Sequence, residues 1–279
     1  MSQKKKLNEY SNLTQRIVAA MIGVPFILFC ILYNDVTFWL VFLTISILTQ
    51  YEFYKLLRLD RNLPLAAWGT FCGSLLNFLT FFVEKSIFPF NFYYIIIPLL
   101  TFTFFIKLYR KDDLQPFANL GYTFLGIIYV AVPFALVNEL IITSNGYRPH
   151  LMIGILLMLW GNDSGAYFAG KLLGKRKLFE RISPKKTWEG FFGGLAASLI
   201  VAFLCSQFFD DLGTIQWLIT AVIISVTGTL GDLVESLFKR SISIKDSGSI
   251  IPGHGGFLDR FDGLLLSMPF IVTFLKIFG

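Results

Sequence analysis

The chain has 279 residues, of which 55% are hydrophobic and only 15% charged, against roughly 25% charged in soluble domains. A mean hydropathy of +0.65 leaves too little polar side chain to clothe a soluble globule, so a water-soluble fold is excluded and the chain reads as an integral membrane protein. The net charge is +6, but the basic residues fall between apolar runs. Membrane topology and anionic lipid headgroups account for them, and nucleic acid is not expected as a partner.

A bilayer core takes roughly 17–25 apolar residues per helix. Nine segments meet or approach this: 17–33, 36–54, 64–83, 92–109, 117–142, 151–172, 190–208, 215–237 and 263–278. Lys4, Lys5 and Lys6 precede the first. No small-residue cleavage site follows it, and the run is long for a signal peptide, so it is read as a retained span. With the N-terminus in the cytoplasm, all of the 24 Lys and Arg except Lys85, Arg148 and Lys276 fall on the inside. The expectation is an all-α polytopic bundle forming a single membrane domain over 1–279. N-terminal apolar helices occupy 1–150. A catalytic half, 151–279, carries two cytoplasmic active-site loops at 173–190 and 239–262. Cys30, Cys72 and Cys205 lie in or beside apolar runs without ligand spacing and read as packing residues.

Four constellations in the second half carry chemistry. Asp163 follows Asn162 inside an apolar span, where an ionised acid costs about 2.5–3.5 kcal/mol and so faces a partner or a wet cavity. Gly161, Gly165 and Ala169 beside it form a stripe of small residues suited to close helix packing. In the basic loop, Ser183 and Thr187 flank the paired Lys185 and Lys186. The hydroxyls suit substrate binding, and the lysines suit a polyphosphate near the start of the next helix. Asp232, Glu235, Ser236 and Lys239 share one helical face. The bland reading of that face, a surface pair of Glu235 with Lys239, leaves Asp232 unexplained. Finally, Lys245, Asp246, His254, Gly255, Gly256, Asp259, Arg260 and Asp262 crowd into one loop and the helix start after it. Its glycines let bare backbone approach a ligand. His254 reads equally as a phosphate donor or as loop packing. Asp259 and Asp262, with Asp232 on the preceding span, have the oxygen-only character of a Mg²⁺, Mn²⁺ or Ca²⁺ site.

The run Ser236-Leu-Phe-Lys-Arg240, Lys245-Asp246, Gly248, Ile251-Pro252, His254-Gly-Gly-Phe257 and Asp259-Arg-Phe-Asp262 resembles the signature of phosphatidate cytidylyltransferases, the CDP-diacylglycerol synthases. Asp163 with Tyr167, and 183–190, resemble the same family. The resemblance covers roughly 155–265. It implies a multi-helix membrane enzyme, a homodimer in the cell membrane, working at the cytoplasmic face on CTP and phosphatidate. It further implies a dependence on Mg²⁺, alone or with a second cation. Carboxylates matching Asp232 and Asp259 belong to the family's metal centre, and Asp262 is a further candidate. In the mechanism so implied, Lys239, Arg240, Lys245 and Arg260 clamp phosphates, and Asp246 orients Lys245. Two other readings stand beside it. A CTP-dependent polyprenol or phytol kinase would move the γ-phosphate instead. An ion-coupled transporter would show inverted repeats and polar residues in both halves, and neither is seen in the sequence.

Overall fold

A computed structural model of the chain describes residues 2–59, 63–111, 113–144, 146–244 and 255–278. Among these, nine helical rods follow one another. They are α1 (Ser2–Tyr33), α2 (Asp35–Leu59), α3 (Ala66–Glu84), and α4 (Ile96–Leu108) with a 3₁₀ lead-in at Phe90–Ile95. A composite rod follows, then α7 (Pro149–Leu173), α8 (Trp188–Phe208), α9 (Thr214–Ser241) and α10 (Leu258–Phe278). The composite rod joins α5 (Pro116–Gly126) to α6 (Val132–Ile141) through a single π turn, Ile127–Ala131.

Seven of these runs are long and apolar enough to cross a membrane. The apolar part of α1, Ile17–Tyr33, is shorter. α7 carries Asn162 and Asp163 in its interior and is not among the seven. The nine expected segments therefore each coincide with a rod, although α1 begins well before its apolar part.

The expected all-helical pattern is broken at two connections. β1 (Ile142–Thr143) pairs with β2 (Gly146–Tyr147), and β3 (Lys177–Phe179) pairs with β4 (Ser183–Thr187), both antiparallel. The second hairpin fills most of the connection expected as a plain loop over 173–190. Local chemistry sets the helix starts. Asn34 Oδ1 accepts the Thr37 N–H at 2.8 Å, so one residue separates α1 from α2. Thr187 Oγ1 accepts the Gly190 N–H at 3.2 Å and caps α8.

The largest core cluster runs through both halves of the chain. It includes Phe42 and Phe53 of α2, Phe134 of α6, Met152 of α7, Trp217 of α9 and Leu265 of α10. α7 and α8 meet along the stripe of small residues. A Cβ on Gly165 would stand 2.6 Å from both Ala197 Cβ and Gly193 O, so the backbones are close enough to exclude larger side chains. Cys30, Cys72 and Cys205 are buried and unpaired.

Polar contacts cluster at the two ends of the bundle. One end holds Lys85 with Asp35 and Lys276 with Glu139. The other gathers the ends rich in Lys and Arg, and a buried pair there joins Lys107 of α4 to Asp113, each side chain 1% exposed. Lys107 Nζ also donates to Leu63 O at 2.8 Å. Asp113 accepts from Asn119 Nδ2 at 2.7 Å and from the Gln115 N–H at 3.0 Å.

Burial opposes the charge on Asp113. Lys107, Gln115 and Asn119 outweigh it and hold the carboxyl below the ordinary carboxylate range. A depressed value stabilises the fold fully above the unfolded pKa of about 4, and that contribution is lost as pH falls through the lower folded value. Asp113→Asn should therefore lower the melting temperature at pH 7, and its deficit against wild type should shrink below pH of about 4. A deficit that stays constant through that range would contradict this account of the pair.

Candidate active site

α9 and α10 form the frame of the site. A Cβ on Gly231 would lie 2.6 Å from the Asp262 carbonyl oxygen, so only glycine permits this approach. Asp232, the next residue, is thereby brought beside Asp262. One turn on, Glu235 completes the group: carboxylate oxygens of Asp232, Glu235 and Asp262 all lie within 4.8 Å of one another. The face expected on α9 is present, with Ser236 Oγ donating to Asp232 Oδ1 at 3.4 Å and Lys239 pairing with Glu235 at 2.5 Å. That pair is not the surface contact of the bland reading, because Glu235 is 1% exposed. Lys239 is shared with Asp259 of α10, at 2.7 Å, and the Glu235 and Asp259 carboxylates meet over it.

Asp259 is fixed from the loop side as well. Its Oδ2 accepts the Gly256 N–H at 3.1 Å. Gly255 adopts φ +86°, where a side chain would be strained, and a Cβ there would sit 2.6 Å from the same oxygen. Asp262 Oδ1 accepts the Gly263 N–H at 2.7 Å.

The hairpin supplies a second basic side chain. Successive residues of a strand point to opposite faces, and β4 separates its two lysines accordingly. Lys186 reaches Asp232 at 2.7 Å and Thr229 O at 3.3 Å, whereas Lys185 is exposed. Glu189, at the start of α8, accepts the Lys175 N–H at 3.0 Å and the Arg176 N–H at 3.2 Å, which ties the hairpin to the bundle. Thr187 is buried in its capping role and Ser183 is half-buried.

Asp163 of α7 lies within electrostatic reach of Asp232, Lys186 and Arg260. Tyr167 points away into contact with Lys171. Arg240 is exposed and donates to Ile244 O at 3.1 Å, beyond the end of α9. Arg260 is exposed on α10. Lys245, Asp246 and His254 lie outside the described residues.

Two residues of the N-terminal half reach this site and were not expected there. Glu52 of α2, 1% exposed, accepts the Phe257 N–H through Oε2 at 2.8 Å. An acid inside an otherwise apolar span is itself a functional signal, and it went unused because the span lies far from the motifs. The second is Tyr129, whose Oη is buried and lies within electrostatic reach of Asp262 and Glu235. Ring contacts join the same surfaces: Phe53 stacks on Phe238 at 4.9 Å, and Phe134 meets Phe261 edge-on at 5.7 Å.

The site thus joins five acids, Asp163, Asp232, Glu235, Asp259 and Asp262, to the two lysines that pair with them, Lys186 and Lys239. Carboxylates this close repel strongly unless positive charge lies among them. An oxygen-only donor set fits a hard divalent cation such as Mg²⁺.

The family model described as "Cytidylyltransferase family" matches residues 14–278. The chain belongs to the cytidylyltransferase family. Within this family, a phosphatidate cytidylyltransferase of Bacillus subtilis strain 168 is 34% identical over 277 residues, covering 96% of this chain and 99% of that protein. Those of Staphylococcus saprophyticus and Staphylococcus aureus strain COL are 45% and 44% identical over 157 residues, 56% of this chain and 58% of each relative. In this chain Glu52 of α2 joins the N-terminal helices to the backbone just before α10 at Phe257. Glu52→Leu removes the acceptor of the part-buried Phe257 N–H, which costs about 1 kcal/mol or more. Initial-rate assays on the inserted, monodisperse variant should show a drop of about tenfold or more. Wild-type rates would mean that α2 has no part in holding the loop.

Proposed function

We propose that this chain transfers the cytidylyl group of CTP to phosphatidate, giving CDP-diacylglycerol and pyrophosphate. The observation that carries this reading is the full-length match to a phosphatidate cytidylyltransferase, in a chain where Asp262 of the signature run meets Asp232 and Glu235 in one cluster.

A phosphatidate phosphate oxygen forms a bond to the α-phosphorus of CTP. The bond from that phosphorus to the oxygen bridging to the β-phosphate breaks, and its electron pair leaves with pyrophosphate. The nucleophile is already anionic at neutral pH, so no strong base is required. The obstacle is repulsion between two polyanions, and the site's task is to neutralise and align them.

Asp232, Glu235 and Asp262 would hold Mg²⁺, with Asp259 joined to them through Lys239. When bound, the ion supplies positive charge at the reacting phosphates and a template for their oxygens. Lys186 and Lys239 now neutralise acids and are placed to turn toward phosphates. Lys185 and Lys186 serve the triphosphate and the departing pyrophosphate, with Ser183 and Thr187 beside them. Arg240, Lys245 and Arg260 add phosphate contacts at the rim, and Asp246 orients Lys245. Gly255 and Gly256 bring backbone close to the nucleotide, and His254 donates to a phosphate. Ser236 holds Asp232 in place, and Asp163 borders the lipid substrate.

The distribution of Lys and Arg supports a cytoplasmic face for this chemistry, with the N-terminus on that side. The bacterial relatives point to the plasma membrane. The lipid's acyl chains stay in the bilayer, and two copies of the chain form the working dimer. A CTP-dependent lipid kinase predicts the opposite fate for the nucleotide's phosphates. Purified protein given phosphatidate, Mg²⁺ and CTP labelled at either the α- or the γ-phosphate separates the two. Under this proposal α-label enters lipid and γ-label appears in pyrophosphate, while Asp232→Asn abolishes both. Transfer of γ-label to lipid would overturn it.

A further inference from the structure

Tyr129 belongs to no motif and lies in the half of the chain that looked purely structural. Its position follows from Pro133. A proline in a helix has no N–H for the carbonyl four residues earlier, here that of Tyr129, and its ring crowds that carbonyl. The composite rod answers with the π turn Ile127–Ala131, where a widened turn shifts the helical register. Asn77 Nδ2 of α3 supports the turn by donating to Ala131 O at 3.3 Å and to Gly73 O at 3.1 Å.

The shifted register turns Tyr129 toward α9 and α10. Its ring rests against Phe53 at 5.9 Å. Its Oη is buried with no hydrogen-bond partner among the described residues, and it lies within electrostatic reach of Asp262 and Glu235. Glu235 Oε1 is likewise buried with no hydrogen-bond partner among the described residues. A buried hydroxyl and a buried carboxylate oxygen that do not satisfy each other are polar atoms that a further group would have to satisfy. A phenol in this position offers one donated hydrogen bond, which suits an anionic oxygen.

We propose that Tyr129 is a substrate-binding residue of the active site, its Oη donating to a phosphate oxygen held beside Asp262 and Glu235. This rests on the cytidylyl transfer reading above. It adds a phosphate contact from the N-terminal half and gives the π turn a purpose, which is to aim that hydroxyl. Two sources offer the phosphate, CTP and phosphatidate.

Tyr129→Phe keeps the ring, its packing and the turn, and removes only the donor. Its melting temperature without substrate should equal that of wild type. Its kcat/KM should fall on the order of ten- to a hundredfold, the loss expected for a hydrogen bond to a charged oxygen. Titrating each substrate separately locates the contact. A raised KM for CTP, with weaker stabilisation of the protein by CTP and Mg²⁺ in a thermal melt, assigns it to the nucleotide. A raised KM for phosphatidate with unchanged CTP stabilisation assigns it to the lipid. Unchanged kinetics for both substrates, in variant protein with a wild-type melt, would overturn the proposal while leaving the transfer reaction intact. Failure of the wild-type protein to carry out the transfer would overturn the reading on which it rests.

Discussion

The backbone of α9 at Gly231 lies against the backbone of α10 at Asp262, too close for any side chain between them. Everything at the site follows from that contact. It brings together acids from two helices at the end of the bundle where the lysines and arginines collect. The resulting concentration of negative charge has to be balanced from outside the two helices. Lys186 arrives from the β3–β4 hairpin, and Lys239 sits between Glu235 and Asp259. An oxygen-only group of acids arranged this way suits a hard divalent cation.

Holding such a cluster together requires a rigid support, and the N-terminal helices provide it. Glu52 anchors the end of the signature loop through a backbone N–H. The aromatic contacts of Phe53 with Phe238 and of Phe134 with Phe261 seat α9 and α10 on α2 and α6. α2, α3 and the composite rod are themselves locked by buried polar contacts. Tyr54 Oη donates to Thr123 O at 2.7 Å, and Gln50 Nε2 donates to Gly69 O at 3.0 Å. In a bilayer such bonds have no water to replace them. The half without motifs therefore fixes the geometry of the half that has them.

Hydropathy alone located all nine rods, because a bilayer demands a long apolar run wherever the chain crosses it. Helical periodicity alone put Asp232, Glu235, Ser236 and Lys239 on one face. The hairpin at 177–187 escaped notice because its strands are short and polar, with no alternation to mark them. Lys185 and Lys186 looked equivalent, and only the strand's alternating faces separate them. Glu52 and Tyr129 are single polar groups within apolar spans, with tertiary partners far away in sequence. Spacing shows the neighbours of a residue along a helix but not across one. Pro133 did announce a disturbance in its helix, but not the direction in which it would turn Tyr129.

The junction of α9 and α10 should bind a divalent cation. Titrating Mn²⁺ into the detergent-purified protein, with free ion followed by electron paramagnetic resonance, tests it without turnover. Saturable binding by the wild type, competed by Mg²⁺ and lost in both Asp232→Asn and Asp262→Asn, is the predicted result. Wild-type protein that binds no Mn²⁺, or variants that bind it as well as wild type does, would contradict the account.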